Sequence, residues 1–199
     1  MVADGMGGHR GGDIAADTAI GALRALADAT APLTHTTILG ALDCANAEIL
    51  ARGESAGGVI GSTIVVLHIA DGKAQIFWAG DSRAYRARAA GWEQVTRDHS
   101  LVQQLLDTGL IDREQAAHHP QGHVITRALG VESAVEIETL SFPVAGGDVL
   151  LLCSDGLSRS LDEDLPAGLE SINSADEILA QALDKDGSDN ISFVIVSVG

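Results

Sequence analysis

Four aspartates stand beside apolar stretches of the sequence, and their carboxylates could together bind divalent cations. Asp81 and Asp155 each follow an apolar run directly. Asp4 follows a shorter run, and Asp189 precedes the last one. Carboxylates gathered at one edge of a sheet repel one another at reduced dielectric, so such a cluster is tolerable when cations neutralise it. Oxygen-only ligands select Mg²⁺ or Mn²⁺ rather than zinc.

Each of these aspartates on its own has a simpler interpretation as part of a turn. Asp-Gly, Gly-Asp-Ser and Ser-Asp-Asn are common turn sequences. The metal hypothesis therefore depends on the four carboxylates lying together. The structural alternative is an acidic domain whose aspartates only shape turns and bind no metal specifically.

Glycines surround the first of these aspartates and suggest a close approach of the backbone to a ligand. A side chain at Gly5 would keep a metal or a phosphate away from the backbone. A glycine-rich turn before a helix could instead bind a nucleotide phosphate, but neither GxxxxGK[ST] nor GxGxxG occurs. The segment 184–190 resembles the start of a calcium-binding loop, but Gly187 comes two places early and no glutamate closes the loop.

The elements that must position these carboxylates alternate between helical and strand periods. Apolar spacing predicts a helix over 11–29, with one stripe at Ile14, Thr18, Ala22 and Leu26 and another beside it at Ala15, Ala19 and Leu23. A second helix is predicted over 36–52, with Gly53 as its stop and a buried face at Ile38, Leu42, Ala45 and Ile49. Shorter helices are predicted over 98–109, 161–170 and 174–184, with 110–127 irregular. Strands are predicted over 61–70, 73–79, 84–89, 92–95, 134–141, 148–153 and 190–198, the first four as an antiparallel meander with a hairpin at Asp71–Gly72. This pattern indicates an α+β fold with sheet on sheet and helices outside.

Length and charge limit the domain count and the classes of partner. The 199 residues fit one domain. A net charge of −16 repels nucleic acid and anionic membranes, and it also repels phosphorylated substrates unless bound cations overcome the field. No apolar run has the length to cross a bilayer, and the N-terminus lacks the pattern of a secretion signal. Cys44 and Cys153 are expected to be buried thiols in a reducing cytoplasm.

Seven motifs, in order along nearly the whole chain, are similar to those of bacterial PPM phosphatases. These enzymes are the metal-dependent, 2C-type serine/threonine protein phosphatases. The motifs are DGMGGH (4–9), GST (61–63), GDSRAY (80–85), TRDHSL (96–101), ITRALG (125–130), SDGL (154–157) and DN (189–190).

The resemblance implies an antiparallel β-sandwich flanked by helix pairs, as one domain over 1–199, with two metal ions at one end. It implies that Asp4, Asp155 and Asp189 bind the first ion, and that Asp4 and the Gly5 carbonyl bind the second. A third ion is implied at Asp81 and Asp155. The segment 103–127 corresponds to a mobile flap beside the site.

The mechanism that the resemblance implies is hydrolysis of phosphoserine and phosphothreonine by a metal-activated water, without a covalent intermediate. Asp4, Asp155 and Asp189 are its central residues. An acid must protonate the leaving oxygen, and His9 is a candidate, although a histidine that only bonds locally at a helix entry is about equally expected. The implied setting is bacterial cytoplasm, with phosphorylated proteins as substrates and a serine/threonine kinase acting in opposition.

The resemblance also implies that this sequence lacks the first strands of the family fold. An earlier strand pair in the family carries an arginine for the substrate phosphate and an acidic residue for the second metal, and Met1 stands where a strand should already be under way. We expect weaker binding of the second ion and an exposed sheet edge. The favoured hypothesis is an active protein whose natural start lies upstream; the alternative is a catalytically impaired regulatory module that binds phosphoproteins.

Overall fold

The computed structural model describes residues 1–7, 11–30, 32–88, 91–160, 172–186 and 189–199. The helices in these ranges are α1 (Gly11–Asp28), α2 (His35–Ala56), α3 (Leu101–Asp107), α4 (Arg113–Ala117), α5 (Asp155–Ser158) and α6 (Ile172–Asp186). The strands are β1 (Gly5–Met6), β2 (Gly61–Ser62), β3 (Ile64–Ala70), β4 (Lys73–Ala79), β5 (Arg83–Arg88), β6 (Gly91–Gln94), β7 (Glu138–Pro143), β8 (Val149–Cys153) and β9 (Phe193–Ser197).

Helix α1 buries one of the two adjacent apolar stripes that the sequence offers. Ala15, Ala19 and Leu23 are buried, whereas Ile14 is 41% exposed. The two stripes are adjacent on the helix and both are apolar, so periodicity alone could not choose between them. The buried stripe carries small residues, which allow α1 to pack closely in the cluster that also contains residues of α2 and β3.

Helix α2 is longer than predicted. Thr34 caps its N-terminus by accepting a bond from the Thr37 amide at 3.2 Å. The helix continues past Gly53 and ends at Gly57, whose φ of 72° is the left-handed conformation typical of a helix end. Its buried face is the one predicted, at Ile38, Leu42, Ala45 and Ile49.

The first strands form a hairpin and then change sheets. Asp71 and Gly72 have φ values of 50° and 70° and connect β3 to β4, as the Asp-Gly pair predicts. The single four-strand meander is wrong, because β3 and β4 lie in a sheet of order β3-β4-β7, whereas β5 and β6 belong to a sheet of order β6-β5-β8-β9. The chain crosses between the sheets at Gly80, whose φ is 111°.

The two sheets pack into a sandwich with helices on both outer faces. Val65, Ile76 and Trp78 from one sheet share a buried cluster with Ala84 and Leu152 from the other. A second cluster joins α1 and α2 to the outer face of the first sheet, and a third joins α6 to the outer face of the second sheet. This arrangement is the predicted α+β sandwich.

The later segments agree with the predictions in part. The irregular segment predicted over 110–127 contains the short helix α4, which Asp112 caps with a bond from the Gln115 amide at 2.8 Å. The helix predicted over 161–170 lies outside the described residues.

Cys153 is buried as expected, but Cys44 is exposed on α2. Among the described helices, none combines the length and apolarity needed to span a membrane.

Candidate active site

Asp4 is held by its backbone in the turn that precedes β1. Its amide donates to the Thr63 hydroxyl at 3.1 Å, and its carbonyl accepts from the Thr63 amide at 2.8 Å. The Ser62 hydroxyl also donates to that carbonyl, at 3.1 Å. Thr63 lies between β2 and β3, so the GST motif fixes the Asp4 turn against the end of the first sheet.

Asp81 lies in the crossover between the two sheets, and His99 fixes this turn from both sides. The His99 amide donates to the Gly80 carbonyl at 3.0 Å, and the Gly80 amide donates to His99 Nδ1 at 3.1 Å. Asp81 itself is 8% exposed. The TRDHSL motif therefore supports the GDSRAY motif through one backbone bond and one bond to the imidazole ring.

The bonds of His99 identify its tautomer. Because Nδ1 accepts from Gly80, the neutral ring carries its proton on Nε2, which lies 3.2 Å from Glu138 Oε1. Burial lowers the pKa of His99, which favours this neutral form. Arg127 Nη1 lies 3.0 Å from His99 Nε2 and 3.4 Å from Glu138 Oε1. Because Nε2 carries a proton and cannot accept a bond, the favourable interaction of Arg127 is with the Glu138 carboxylate. The ITRALG arginine thereby joins the same network.

Asp155 begins the short helix α5, directly after buried strand β8. Gly156 follows it and packs against the chain just before β9, where a side chain at position 156 would overlap the carbonyl oxygen of Asn190. Ser154 and Ser192 exchange bonds in the same place, with the Ser154 amide donating to the Ser192 carbonyl at 2.9 Å. These contacts bring the SDGL and DN motifs together.

The side chains of the four aspartates lie at the same end of the sandwich, where their charges act on Asp4 and Asp81. Burial raises the pKa of Asp4 well above its ordinary value of 3.8, and a hydrogen bond to Asp155 and the charges of Asp155, Asp189 and Asp81 raise it further. Burial, followed by the charge of Asp155, raises the pKa of Asp81 to about 6. The structure thus brings together the four carboxylates that the sequence singled out.

One cation lies among these carboxylates. Arg159 Nη2 is 2.8 Å from Asp155 Oδ2 and 3.9 Å from Asp81 Oδ2. Asp155 therefore contacts Asp4 through a hydrogen bond and Arg159 through an ion pair. Arg159 follows α5, and its side chain is 44% exposed.

The donor set fits hard divalent cations in its chemistry. Within the described ranges, no three His, Cys, Asp or Glu side chains form a ready ligand set for one ion. Asp4 and Asp155 are instead joined by a hydrogen bond, and Asp155 forms an ion pair with Arg159. Clustered carboxylate oxygens with excess negative charge suit Mn²⁺ or Mg²⁺, and a carboxyl group must be deprotonated to bind such an ion.

Two other predicted site residues have different outcomes. Gly5 lies in β1 beside the cluster, and a side chain there would overlap the carbonyl oxygen of Gly12 at the start of α1. The need for glycine at position 5 is thus explained by this backbone packing. His9 lies outside the described residues.

The supporting residues were not found by inspection of the sequence. Thr63 and Ser82 are buried, and their hydroxyl oxygens lie 2.7 Å apart. Thr63 belongs to the GST motif and Ser82 to the GDSRAY motif, yet nothing in the sequence pairs the two hydroxyl groups. Arg159 could have been noticed because it stands four residues after Asp155, the spacing that pairs side chains on a helix.

Comparison with known proteins decides the family. The family model for protein phosphatase 2C matches residues 1–191. The chain belongs to the protein phosphatase 2C family. The serine/threonine phosphatase Stp of Listeria innocua is 39% identical, over 98% of this chain and 82% of Stp.

Solved structures of 2C-type phosphatases have the same fold. The Mycobacterium tuberculosis serine/threonine phosphatase PstP superposes with a TM-score of 0.88 at 33% identity, over 98% of this chain and 86% of that one. A catalytic domain of PstP in complex with two manganese ions superposes with a TM-score of 0.84 at 32% identity, over 97% and 84% of the two chains.

The family membership confirms the main expectations from the motifs. This 2C-type phosphatase has the predicted α+β sandwich and the predicted class of activity, metal-dependent hydrolysis of phosphoserine and phosphothreonine. Nothing in these comparisons favours the impaired binding module.

Proposed function

We propose that the carboxylate cluster at the end of the sandwich is the catalytic centre for this hydrolysis. Asp4, Asp155 and Asp189 hold one divalent ion, and Asp4 with the Gly5 carbonyl holds a second. The observation that carries the proposal is the convergence of four carboxylates from distant parts of the chain, where the charges of Asp155, Asp189 and Asp81 act on Asp4. The two manganese ions in PstP support a pair of Mn²⁺ ions here.

The residues of this centre bind and orient rather than react covalently. When bound, the two cations supply an activated water and stabilise charge on the transferring phosphoryl group. Asp4 would be a ligand of both ions, and Thr63 keeps the backbone of Asp4 fixed by the two bonds described above. Asp155 connects Asp4 to the rest of the cluster. Cations bound at these carboxylates would allow a phosphate ester to approach a protein of net charge −16.

His9 is the proposed acid that protonates the leaving seryl or threonyl oxygen. The motif places it five residues after Asp4 and two before the start of α1. Imidazole is the side chain best suited to hold a transferable proton near neutral pH. A His9→Ala variant that keeps its full rate on phosphopeptide at every pH would exclude this role.

The segment 103–127 is the proposed flap beside the centre. Its flanks are tied down by backbone bonds: the Leu101 amide donates to the Val124 carbonyl at 2.9 Å, and the Thr126 amide donates to the His99 carbonyl at 2.7 Å. Between these ties, α3 and α4 bury none of their side chains fully. A segment that is fixed at its base and lightly packed can change conformation when substrate binds.

The finer details of cofactor and setting are also part of the proposal. Mg²⁺ serves as an alternative ion, because its ligand chemistry is also oxygen. A third ion can be held by Asp81 and Asp155 at high metal concentration. The substrates are phosphorylated proteins in the cytoplasm, where a serine/threonine kinase opposes the reaction.

The test is Mn²⁺-dependent release of phosphate from phosphothreonine and phosphoserine peptides by the 199-residue chain. Asp155→Ala is expected to lower kcat/KM at least about a hundredfold, because it removes a proposed ligand of the first ion that also contacts Asp4. Asp43→Ala is the matched control, since Asp43 is exposed on α2. Equal rates in folded wild-type and Asp155→Ala protein, or no effect of Mn²⁺, would overturn the proposal.

A further inference from the structure

Arg159 is positioned by the short helix that carries Asp155. Its amide donates to the Asp155 carbonyl at 2.8 Å, which sets the side chains of the two residues on the same face of the turn. The guanidinium then folds back onto Asp155, with Nη2 at 2.8 Å from Oδ2. The sequence motif SDGL ends before this position, and the catalytic roles proposed above do not use it.

The same nitrogen of Arg159 also faces the aspartate of the crossover between the sheets. It lies 3.9 Å from Asp81 Oδ2. The side chains of Asp81 and Asp155 are only 11% and 17% exposed, whereas that of Arg159 is 44% exposed. The two carboxylates are therefore fixed in the protein, and the cation that joins them reaches in from solvent.

An ion held by this carboxylate pair and the guanidinium of Arg159 compete for the same two side chains. Both are cations, so each is disfavoured when the other is present. Asp155 also has a hydrogen bond with Asp4, whereas the ionised form of Asp81 has the charges of Asp155 and Asp98 against it and that of Arg159 in its favour. The guanidinium of Arg159 and a metal ion therefore compete for the position between Asp81 and Asp155. A partly exposed arginine can withdraw into water, so the competition is reversible.

We propose that Arg159 is a built-in cation that occupies the position between Asp81 and Asp155 and thereby weakens binding of a third metal ion there. Arg159 is a positioning residue in this role, because it acts through the two carboxylates. The inference rests on the proposed two-ion centre and adds a determinant of how many ions the enzyme holds. It predicts a phosphatase that works with two ions and accepts a third only after the guanidinium has moved away.

The test is a titration of EDTA-stripped protein with Mn²⁺, in which free Mn²⁺ is counted by electron paramagnetic resonance and heats are measured by calorimetry. Wild type is expected to bind two ions tightly and a third weakly. Arg159→Ala is expected to bind the third ion at least about tenfold more tightly, with the first two little changed. Arg159→Lys keeps the positive charge and is expected to stay within a few-fold of wild type.

Two further variants separate this role from a general effect of charge. Arg52→Ala removes a cation from another i,i+4 ion pair, with Glu48 on α2, and is expected to leave all Mn²⁺ constants unchanged. Arg159→Ala combined with Asp81→Asn is expected to lose the third ion. A third ion bound equally in wild type and Arg159→Ala, with the first two intact, would overturn this inference alone. Absence of tight Mn²⁺ binding in every variant would overturn the proposed two-ion centre and this inference with it.

Discussion

The hydroxyl oxygen of Thr63 lies 2.7 Å from that of Ser82, and this buried pair ties the turn carrying Asp4 to the turn carrying Asp81. Thr63 also accepts a bond from the Asp4 amide at 3.1 Å. Residues 4, 63 and 82 are far apart in sequence but lie at the same end of the sandwich. The site is thus held together by a small hydroxyl network behind its carboxylates.

The first prediction concerns this network. Thr63→Val keeps the shape of the side chain but leaves the Asp4 amide and the Ser82 hydroxyl without their partner, so it should lower the free energy of unfolding by about 1–3 kcal/mol. Because the Asp4 turn is loosened, the Mn²⁺ concentration for half-maximal activity should rise as well. Thr63→Ser keeps the hydroxyl and should remain near wild type. Equal metal dependence in both variants would count against a role for the network in positioning Asp4.

The second prediction is a pH dependence of the metal-free protein. Burial raises the pKa of Asp81 from 3.8 to about 6, and the pKa of Asp4 also rises. At a pH between the unfolded and folded pKa values, these carboxyl groups are therefore protonated in the folded state and ionised in the unfolded chain. The contribution of these groups to stability is therefore present at low pH and lost as pH rises through the folded pKa. Without metal, the free energy of unfolding should decrease between about pH 4 and about pH 7 relative to an Asp81→Asn variant.

Addition of Mn²⁺ should oppose this trend. Metal binding requires the carboxylates to lose their proton, so the stabilisation by a fixed Mn²⁺ concentration should increase over the same pH range. Chemical denaturation with EDTA and with Mn²⁺ at a series of pH values measures both effects. An EDTA-treated protein whose stability, relative to Asp81→Asn, rises with pH would show that the carboxylates are not clustered as described.

The third prediction concerns Gly156, which lies against the segment that leads into β9. An alanine there would overlap the Asn190 carbonyl oxygen, and neither backbone segment can move without disturbing Asp155 or Asp189. Gly156→Ala should cost about 1–3 kcal/mol of stability and lower activity. Gly146→Ala is the control, because the nearest atom to its added methyl group is 3.7 Å away. Thermal melts and phosphopeptide assays of both variants measure these losses of stability and activity. A fully active Gly156→Ala enzyme would contradict the described packing.

Much of the fold could be predicted because local patterns determine it. The Asp71–Gly72 hairpin and its returning strand β4 follow from turn chemistry and from the apolar runs on both sides of the turn. The pairing of strands is not a local property. The sequence of residues 80–82 does not indicate that the chain passes from one sheet to the other. The predicted meander therefore joined strands that belong to different sheets.

The candidate site divides in the same way. Its four aspartates belong to recognisable sequence motifs, and the sequence predicted that their carboxylates would converge. Their supports are single hydroxyl, imidazole and guanidinium groups, such as Thr63, His99 and Arg159, whose partners lie 4 to 78 residues away along the chain. Such contacts depend on packing, so they became visible only with the structure.

The most direct test of the central claim is a measurement on Asp4→Asn, which removes the carboxylate shared by both proposed ions but keeps its shape. Bound Mn²⁺ is counted by equilibrium dialysis, and hydrolysis of a phosphothreonine peptide is followed in the same samples. We predict two ions in wild type, at most one in Asp4→Asn, and a fall in kcat of at least about a hundredfold. Folded Asp4→Asn protein that binds two ions and hydrolyses the peptide at the wild-type rate would contradict the account.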